Sequence, residues 1–116
     1  MHELSLCGAI VDTVGEHANG REVRRVNLTI GQFRQVVPDT LLYCWDMRTK
    51  DTALDGCVLD ITAVPAVIEC ADCGQSTTLT HPILRCGACG GANVTMTTGE
   101  EFLINSIDLK PDPTPA

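Results

Sequence analysis

Two pentapeptides, Cys70-Ala71-Asp72-Cys73-Gly74 and Cys86-Gly87-Ala88-Cys89-Gly90, decide how the middle of this chain folds. Together they form the pattern C-x2-C-x12-C-x2-C. Two thiolates separated by two residues can bind one ion from a tight turn, and the glycine that follows accepts the left-handed conformation that directs backbone N–H groups at sulfur. Two such turns complete a closed tetrahedral shell. The pattern therefore predicts a structural zinc ion bound by Cys70, Cys73, Cys86 and Cys89.

Paired cysteines bind metal rather than form disulfides if the protein is in a reducing compartment. The chain has seven cysteines, an odd number, and Met1–Ser5 shows no basic region followed by the apolar stretch of a secretory signal. We expect a cytoplasmic protein, in which paired cysteines indicate metal rather than disulfides. Iron is the chemical competitor of zinc, although aromatic residues are scarce throughout. The isolated cysteines are predicted to be packing residues; they are Cys7, Cys44 and Cys57.

Composition argues against two classes of partner. Eight Lys and Arg stand against 15 Asp and Glu, which gives a formal net charge of -7 among 116 residues. This balance repels phosphate backbones and opposes a general nucleic-acid binder. No apolar run approaches the roughly 20 residues of a membrane span.

Hydrophobic periodicity predicts two helices and three strands. A first helix ends near Gly20 and carries an apolar stripe of Leu4, Cys7, Ile10, Val11 and Val14. A second helix is predicted to begin at Pro38, because the fixed φ of proline suits a first turn. The expected buried side of this helix comprises Leu41, Leu42, Tyr43 and Trp45. The predicted strands are Val26–Ile30, ending at Gly31, then Val58–Val64, and Phe102–Leu109 with Phe102, Ile104 and Ser106 on one side.

These elements predict an α+β fold, in which a β-hairpin zinc ribbon is inserted into a three-stranded sheet with two helices. We expect the sheet and helices to form one lobe from residues 1–65 and 97–111. Residues 66–96 should form the zinc-ribbon lobe from two short hairpins, and residues 112–116 a flexible tail.

The first residues offer a second set of metal donors. The free amine of Met1, the amide nitrogen of His2 and its imidazole Nδ1 can bind one ion in fused chelate rings. Deprotonated amides favour square-planar Ni(II) or Cu(II), and the fourth position stays open to Glu3, to another residue or to a partner. The bulky His2 should keep Met1 in place, because the processing aminopeptidase needs a small second residue. The alternative is an unremarkable, disordered histidine near a terminus.

Several motifs together resemble the HypA/HybF family, the nickel insertion proteins of NiFe-hydrogenase maturation. They are Met1-His2-Glu3-Leu4-Ser5-Leu6, Ile10-Val11, Ile30-Gly31, Val36-x-Pro38 and the two Cys-x-x-Cys-Gly turns. They occur in the family's order and cover nearly the whole chain, from Met1 to about Leu109.

The resemblance implies a nickel metallochaperone rather than an enzyme. His2 would be the essential nickel ligand, with Met1 and Glu3 contributing through the N-terminal backbone, and the four paired cysteines would bind zinc. Handover would involve a maturation GTPase and the hydrogenase large subunit.

The sequence departs from the family at some positions. Val37 stands where many members have an acidic residue, and Asp39, two residues on, is not assigned as a ligand. Some relatives, which have been linked to urease maturation, have histidines beside the zinc cysteines. This sequence has none there, so a urease role is not expected. His17 and His81 match no motif and are interpreted as surface residues.

Two other function classes remain open to test. The ribbon alone is compatible with a protein- or nucleic-acid-binding module that transfers no nickel, although the acidic balance opposes nucleic acid. An enzyme is disfavoured because no catalytic triad, phosphate loop or paired-carboxylate motif is present and the zinc shell is closed. The sequence leaves open the fourth nickel donor and whether the chain forms a homodimer.

Overall fold

The computed structural model describes residues 3–111 of the chain. The elements, in chain order, are α1 (Glu3–Ala18), β1 (Val23–Gly31), a 3₁₀ turn (Gln32–Arg34), α2 (Pro38–Thr49), β2 (Val58–Val64), β3 (Val67–Cys70), β4 (Ser76–Thr78), β5 (Val94–Thr98) and β6 (Phe102–Leu109). The strands form two three-stranded sheets, with the orders β2-β1-β6 and β4-β3-β5. The α+β class predicted from the sequence is confirmed.

The described residues divide into two compact units. The first comprises residues 3–28, Val36–Thr62 and 103–111, and the second comprises Thr29–Gln35 and Ala63–Phe102. The sequence predicts one lobe from residues 1–65 and 97–111 and a second lobe from residues 66–96, each expected to fold independently. Compactness alone does not test independent folding, so those boundaries stay a prediction. The predicted tail, residues 112–116, lies outside the described residues.

The first unit has an apolar core formed by both helices and the β2-β1-β6 sheet. Its fully buried large side chains include Ile10 and Val14 on α1, Val26 and Leu28 on β1, and Leu41 and Trp45 on α2. The indole Nε1 of Trp45 donates a hydrogen bond of 2.9 Å to the carbonyl of Cys57. This bond satisfies the polar atom of the largest core side chain. Cys7 and Cys57 are buried and Cys44 is half-buried.

Three residues predicted to be buried on the helices are exposed. On α2 the buried side chains repeat every four residues, at Leu41, Trp45 and Thr49. At about 100° per residue, Leu42 and Tyr43 lie about 100° and 200° around the helix from Leu41, and they are 37% and 67% exposed. Leu4, in the first turn of α1, is 63% exposed, and the buried residues of this helix begin at Cys7. The prediction was wrong for these three residues.

The last strand also departs from the predicted alternation. Phe102 and Ile104 are half-buried as expected, but Ser106 is exposed and the next half-buried residues are Ile107 and Leu109. The alternation therefore shifts by one residue after Ile104. Ser106 instead accepts a hydrogen bond of 2.9 Å from the side-chain amide of Asn27.

The second unit contains the ribbon and has a very small apolar core. Strand β3 pairs antiparallel with β4, from Val67↔Thr78 to Glu69↔Ser76, and also antiparallel with β5. One of the two expected hairpins is therefore present, but residues 79–93 form turns and bends without a strand. From residue 63 onward the buried apolar side chains are few: Ala66, Ile68, Cys70 and Cys86.

None of the helices within residues 3–111 combines the length and the apolar character needed to cross a bilayer.

Candidate metal centre

The four paired cysteines converge on one point in the second unit. All four Sγ atoms lie within 4.8 Å of one another. The Sγ atoms of Cys70 and Cys89 are 3.7 Å apart, and those of Cys73 and Cys86 are 3.5 Å apart. A tetrahedral ion with Zn–S bonds of about 2.3 Å requires sulfur–sulfur distances of about 3.8 Å. A disulfide would require about 2.05 Å. The geometry fits a structural zinc ion and excludes disulfides within this cluster.

Each cysteine pair lies in the same kind of turn. Gly74 and Gly90 have φ of 76° and 73°, the left-handed region predicted for the glycine after each pair. The N–H of Gly74 donates to the carbonyl of Cys70, and that of Gly90 to the carbonyl of Cys86, both at 2.9 Å. The two Cys-x-x-Cys-Gly segments therefore form the same turn.

Backbone N–H groups point at the sulfur atoms, as the sequence predicts. The N–H groups of Ala88 and Cys89 both lie 3.4 Å from the Sγ of Cys86, and that of Gly91 lies 3.4 Å from the Sγ of Cys89. The N–H of Cys89, followed by that of Ala88, lowers the pKa of the Cys86 thiol to about 6. Cys86 therefore ionises more readily than an ordinary thiol.

Two thiols of the cluster, Cys73 and Cys89, have a raised pKa and ionise less easily without a cation. The N–H of Gln75 favours the thiolate of Cys73, but hydrogen bonding to Cys86, burial, and hydrogen bonding to the remaining thiols together raise the pKa of Cys73 to about 12. Four negative charges cannot gather within 4.8 Å unless a positive ion offsets their repulsion. The donor set therefore requires a divalent cation to become fully ionised, and soft thiolates suit zinc.

Polar side chains that the sequence analysis missed connect the cysteine turns to their surroundings. Thr77 on β4 accepts a hydrogen bond of 3.0 Å from the N–H of Gly87 in the second turn. Asp72 in the first turn accepts a hydrogen bond of 3.3 Å from the side-chain amide of Asn93. These contacts help to fix ligand orientation around a metal. Nothing in the spacing of Thr77 or Asn93 marks them in advance.

The predicted nickel donors are placed only in part. Met1 and His2 lie outside the described residues. Glu3 is the first residue of α1, and its Oε1 accepts a hydrogen bond of 3.4 Å from the N–H of Val37. Val37 is the N-cap residue of α2, so the Glu3 carboxylate lies at the positive end of that helix.

No second cluster of metal-binding side chains occurs among residues 3–111, where the four-cysteine group stands alone. Asp39 is exposed in the first turn of α2. His17 contacts the carbonyl of Thr13 through Nδ1 at 2.8 Å, one turn back on the same helix. His81 is exposed in the ribbon. The structure brings none of these three residues into a metal-binding group.

The sequence matches a family model and many named relatives. A model described as "Hydrogenase/urease nickel incorporation, metallochaperone, hypA" matches residues 1–109. A hydrogenase maturation factor HypA from a Nostoc species is 38% identical over 110 residues, which are 95% of this chain and 96% of the relative. The factor of the same name from Dehalococcoides mccartyi is 36% identical over 112 residues, with 94% of each chain covered.

Two solved structures have the same fold. The solution structure of the Ni metallochaperone HypA from Helicobacter pylori is similar with a TM-score of 0.63 at 24% identity, and it covers 94% of this chain and 97% of that one. A second solution structure of a HypA protein gives a TM-score of 0.65 at 23% identity, with coverage of 95% and 97%. At this level of identity the likeness supports the fold.

Proposed function

The chain belongs to the HypA family of hydrogenase-maturation nickel metallochaperones, and we propose that it binds Ni(II) at Met1-His2-Glu3 and delivers it to the NiFe-hydrogenase large subunit. The family role is metal transfer, not enzymatic catalysis. The proposal concerns where nickel binds and where it goes.

The observation that carries the proposal is the contact between Glu3 and Val37. The Glu3 carboxylate accepts the N–H of the α2 N-cap residue at 3.4 Å, so this side chain already has a partner. Glu3 can then contribute to nickel binding through its backbone or by fixing the first turn of α1. Residues Met1 and His2 directly precede it in the sequence.

The proposed donors are the Met1 amine, the His2 amide nitrogen and the His2 imidazole Nδ1. Such a set favours square-planar Ni(II), because an ionised amide nitrogen is a strong ligand. Three donors leave one position for a group of the acceptor. A carrier needs an incomplete shell of this kind, since a metal with a closed shell is released slowly.

We assign the zinc-binding role to Cys70, Cys73, Cys86 and Cys89. The sulfur–sulfur distances of 3.5 and 3.7 Å support four thiolates around one ion. Four protein ligands leave no position for substrate or water, so this zinc would stabilise the ribbon and take no part in chemistry. Zinc would be resident in the protein, whereas nickel would be its cargo.

The proposed setting is the cytoplasm, with a maturation GTPase and the hydrogenase large subunit as partners. The support is the family's role and a cysteine pattern suited to a reducing compartment. The competing interpretation is a zinc-ribbon binding module that transfers no nickel. The two differ in one measurable property, the binding of nickel to zinc-loaded protein.

Nickel titration of the zinc-loaded chain tests the proposal. Wild type should bind one nickel per chain with absorption in the d–d region, and His2→Ala should lose this site while it retains zinc. His17→Ala is the matched control, because it removes an imidazole that the structure places in no metal-binding group. Equal nickel binding by wild type and His2→Ala would refute the assignment. Nickel binding by neither would favour the module.

A further inference from the structure

The segment Leu79–Arg85, which we call the ribbon loop, exposes two adjacent large apolar side chains. Ile83 is 58% exposed and Leu84 is 48% exposed. Within the second unit, no other large apolar side chain of the described residues is as exposed. Neither side chain belongs to the buried core, and adjacent exposed apolar side chains of this size are typical of a binding surface.

The ribbon loop is fixed at both ends and within. The N–H of Leu79 donates to the carbonyl of Ala66 at 2.8 Å, and the N–H of Cys86, the next residue after the loop, donates to the carbonyl of Gly91 at 2.9 Å. Inside the loop, the N–H of Ile83 donates to the carbonyl of His81 at 2.7 Å. A loop already held in one conformation loses little conformational entropy when it binds.

The ribbon loop lies in a stretch of the sequence that contains no acidic residue. Residues 73–99 contain no Asp or Glu, whereas the whole chain contains 15, and Arg85 is the only Lys or Arg in this stretch. Among residues 3–111 the Arg85 guanidinium has no ion-pair or hydrogen-bond partner. Outside residues 73–99 the chain has 15 Asp and Glu against seven Lys and Arg, a balance that would repel an acidic protein surface. Such a surface would therefore meet the least repulsion at the ribbon loop.

Two clefts are lined in part by residues of the ribbon loop. One cleft of about 360 Å³ is lined by Phe33 and Ala66 together with Leu79 and Pro82. Another of about 350 Å³ is lined by residues that include Thr77 and Ile83. Ile83 itself lines the second cleft, so a side chain of a partner can enter beside it. A single Arg cannot make the several phosphate contacts of a nucleic-acid site, so the partner is a protein.

We propose that the ribbon loop docks the nickel acceptor, by inserting Ile83 and Leu84 into an apolar pocket of the large-subunit precursor that has carboxylates at its rim. This inference rests on the proposed function, because it takes the acceptor as the partner. The nickel donors Met1 to Glu3 are not part of the loop. Docking through the loop leaves those donors free to exchange the metal.

The test measures binding of the full-length, zinc-loaded chain to purified large-subunit precursor by calorimetry. Ile83→Ser/Leu84→Ser should weaken binding about tenfold or more, the effect expected for a buried apolar anchor. Arg85→Glu should weaken binding at low salt, and by a smaller factor at high salt. Tyr43→Ser/Met47→Ser on α2 is the matched control, since these side chains are 67% and 62% exposed. It should bind like wild type.

Nickel transfer separates this inference from the proposed function. With saturating precursor, the loop variant should still transfer nickel, because docking affects affinity and not the donors. If the loop variant binds like wild type, or if the α2 variant loses binding instead, the docking inference is overturned while nickel delivery stands. If wild type transfers no nickel at any precursor concentration, the proposed function fails and the inference falls with it. Competition by a DNA or RNA oligonucleotide at equal concentration would also overturn it.

Discussion

Replacing one zinc ligand should unfold the ribbon while the helices remain folded. Cys86→Ser removes the thiol that is buried and that accepts two backbone N–H groups at 3.4 Å. We expect β3, β4 and β5 to lose their structure in this variant. The control is Cys44→Ser, which alters a half-buried cysteine outside the metal cluster.

The expected size of the effect follows from how little apolar core the ribbon has. Ile68 is its one fully buried large side chain, and burying an isoleucine contributes about 2–3 kcal/mol. Structural zinc contributes roughly 10–16 kcal/mol of apparent binding energy in small peptides. Loss of even half of the lower figure, about 5 kcal/mol, would speed amide exchange about a thousandfold or more.

Hydrogen exchange with residue resolution is the appropriate assay. The amide of Leu41, which donates to the Val37 carbonyl at 3.0 Å in α2, should keep its protection in Cys86→Ser. The amide of Gly90, which donates to the Cys86 carbonyl, should lose it. Uniform loss of protection at both positions would show that the chain folds as one cooperative unit, and the reasoning would be refuted.

The same experiment tests the predicted lobe boundaries. The N–H of Phe33 donates to the carbonyl of Gly99 at 2.9 Å, and that of Gly31 to the carbonyl of Glu101 at 2.7 Å. If zinc loss speeds exchange at these two amides, the zinc-dependent part extends to the second compact unit, Thr29–Gln35 with Ala63–Phe102. If both amides stay protected, the zinc-dependent part is the predicted 66–96 range.

Three further perturbations have definite expected outcomes. Acetylation of Met1 removes a proposed donor without changing a side chain, so a nickel titration should show binding largely abolished while zinc content is unchanged. Gly99→Ala should destabilise the protein by about 2 kcal/mol or more in urea unfolding, since the φ is 121° and the new Cβ would lie 2.5 Å from the Cα of Ala66. Gly8→Ala, in open space on α1, should instead be neutral or slightly stabilising. Burial raises the pKa of Cys7 from 9.0 to about 11, so the unfolded thiol ionises first. Stability should be unaffected below pH 9 and fall by about 2–3 kcal/mol as the pH rises to 11, and Cys7→Ala should lack this loss.

Those parts of the fold that depend on local sequence could be predicted. Strands β2 and β6 have the predicted bounds, Val58–Val64 and Phe102–Leu109. Helix α2 begins at Pro38, where the fixed φ of proline favours a first turn. The left-handed glycines after the cysteine pairs follow from the chemistry of the turn itself. In each case a few consecutive residues contain all the information.

Features that depend on the neighbours of a segment could not be predicted. The spacing of Leu41 and Tyr43 does not show which side of α2 meets the core, and the structure buries the first and exposes the second. The contact between Glu3 and Val37 joins residues 34 positions apart, and nothing in the sequence shows that these two residues meet. The sequence has no signal for Thr77 as a hydrogen-bond acceptor of the second cysteine turn.

The two metal sites differ in how strongly the fold specifies them. The cysteine cluster is built by two turns whose backbone N–H groups point at sulfur, so side chains and turns together specify all four ligand positions. The proposed nickel site depends on a backbone amine and a backbone amide, which every chain possesses near its start. What distinguishes this chain is therefore His2 and the anchoring of Glu3 by the N–H of Val37. A resident ion needs a complete set of side-chain ligands, whereas a transferred ion needs an incomplete set that a partner can finish. The contrast between a closed thiolate shell and an open backbone chelate follows from that difference.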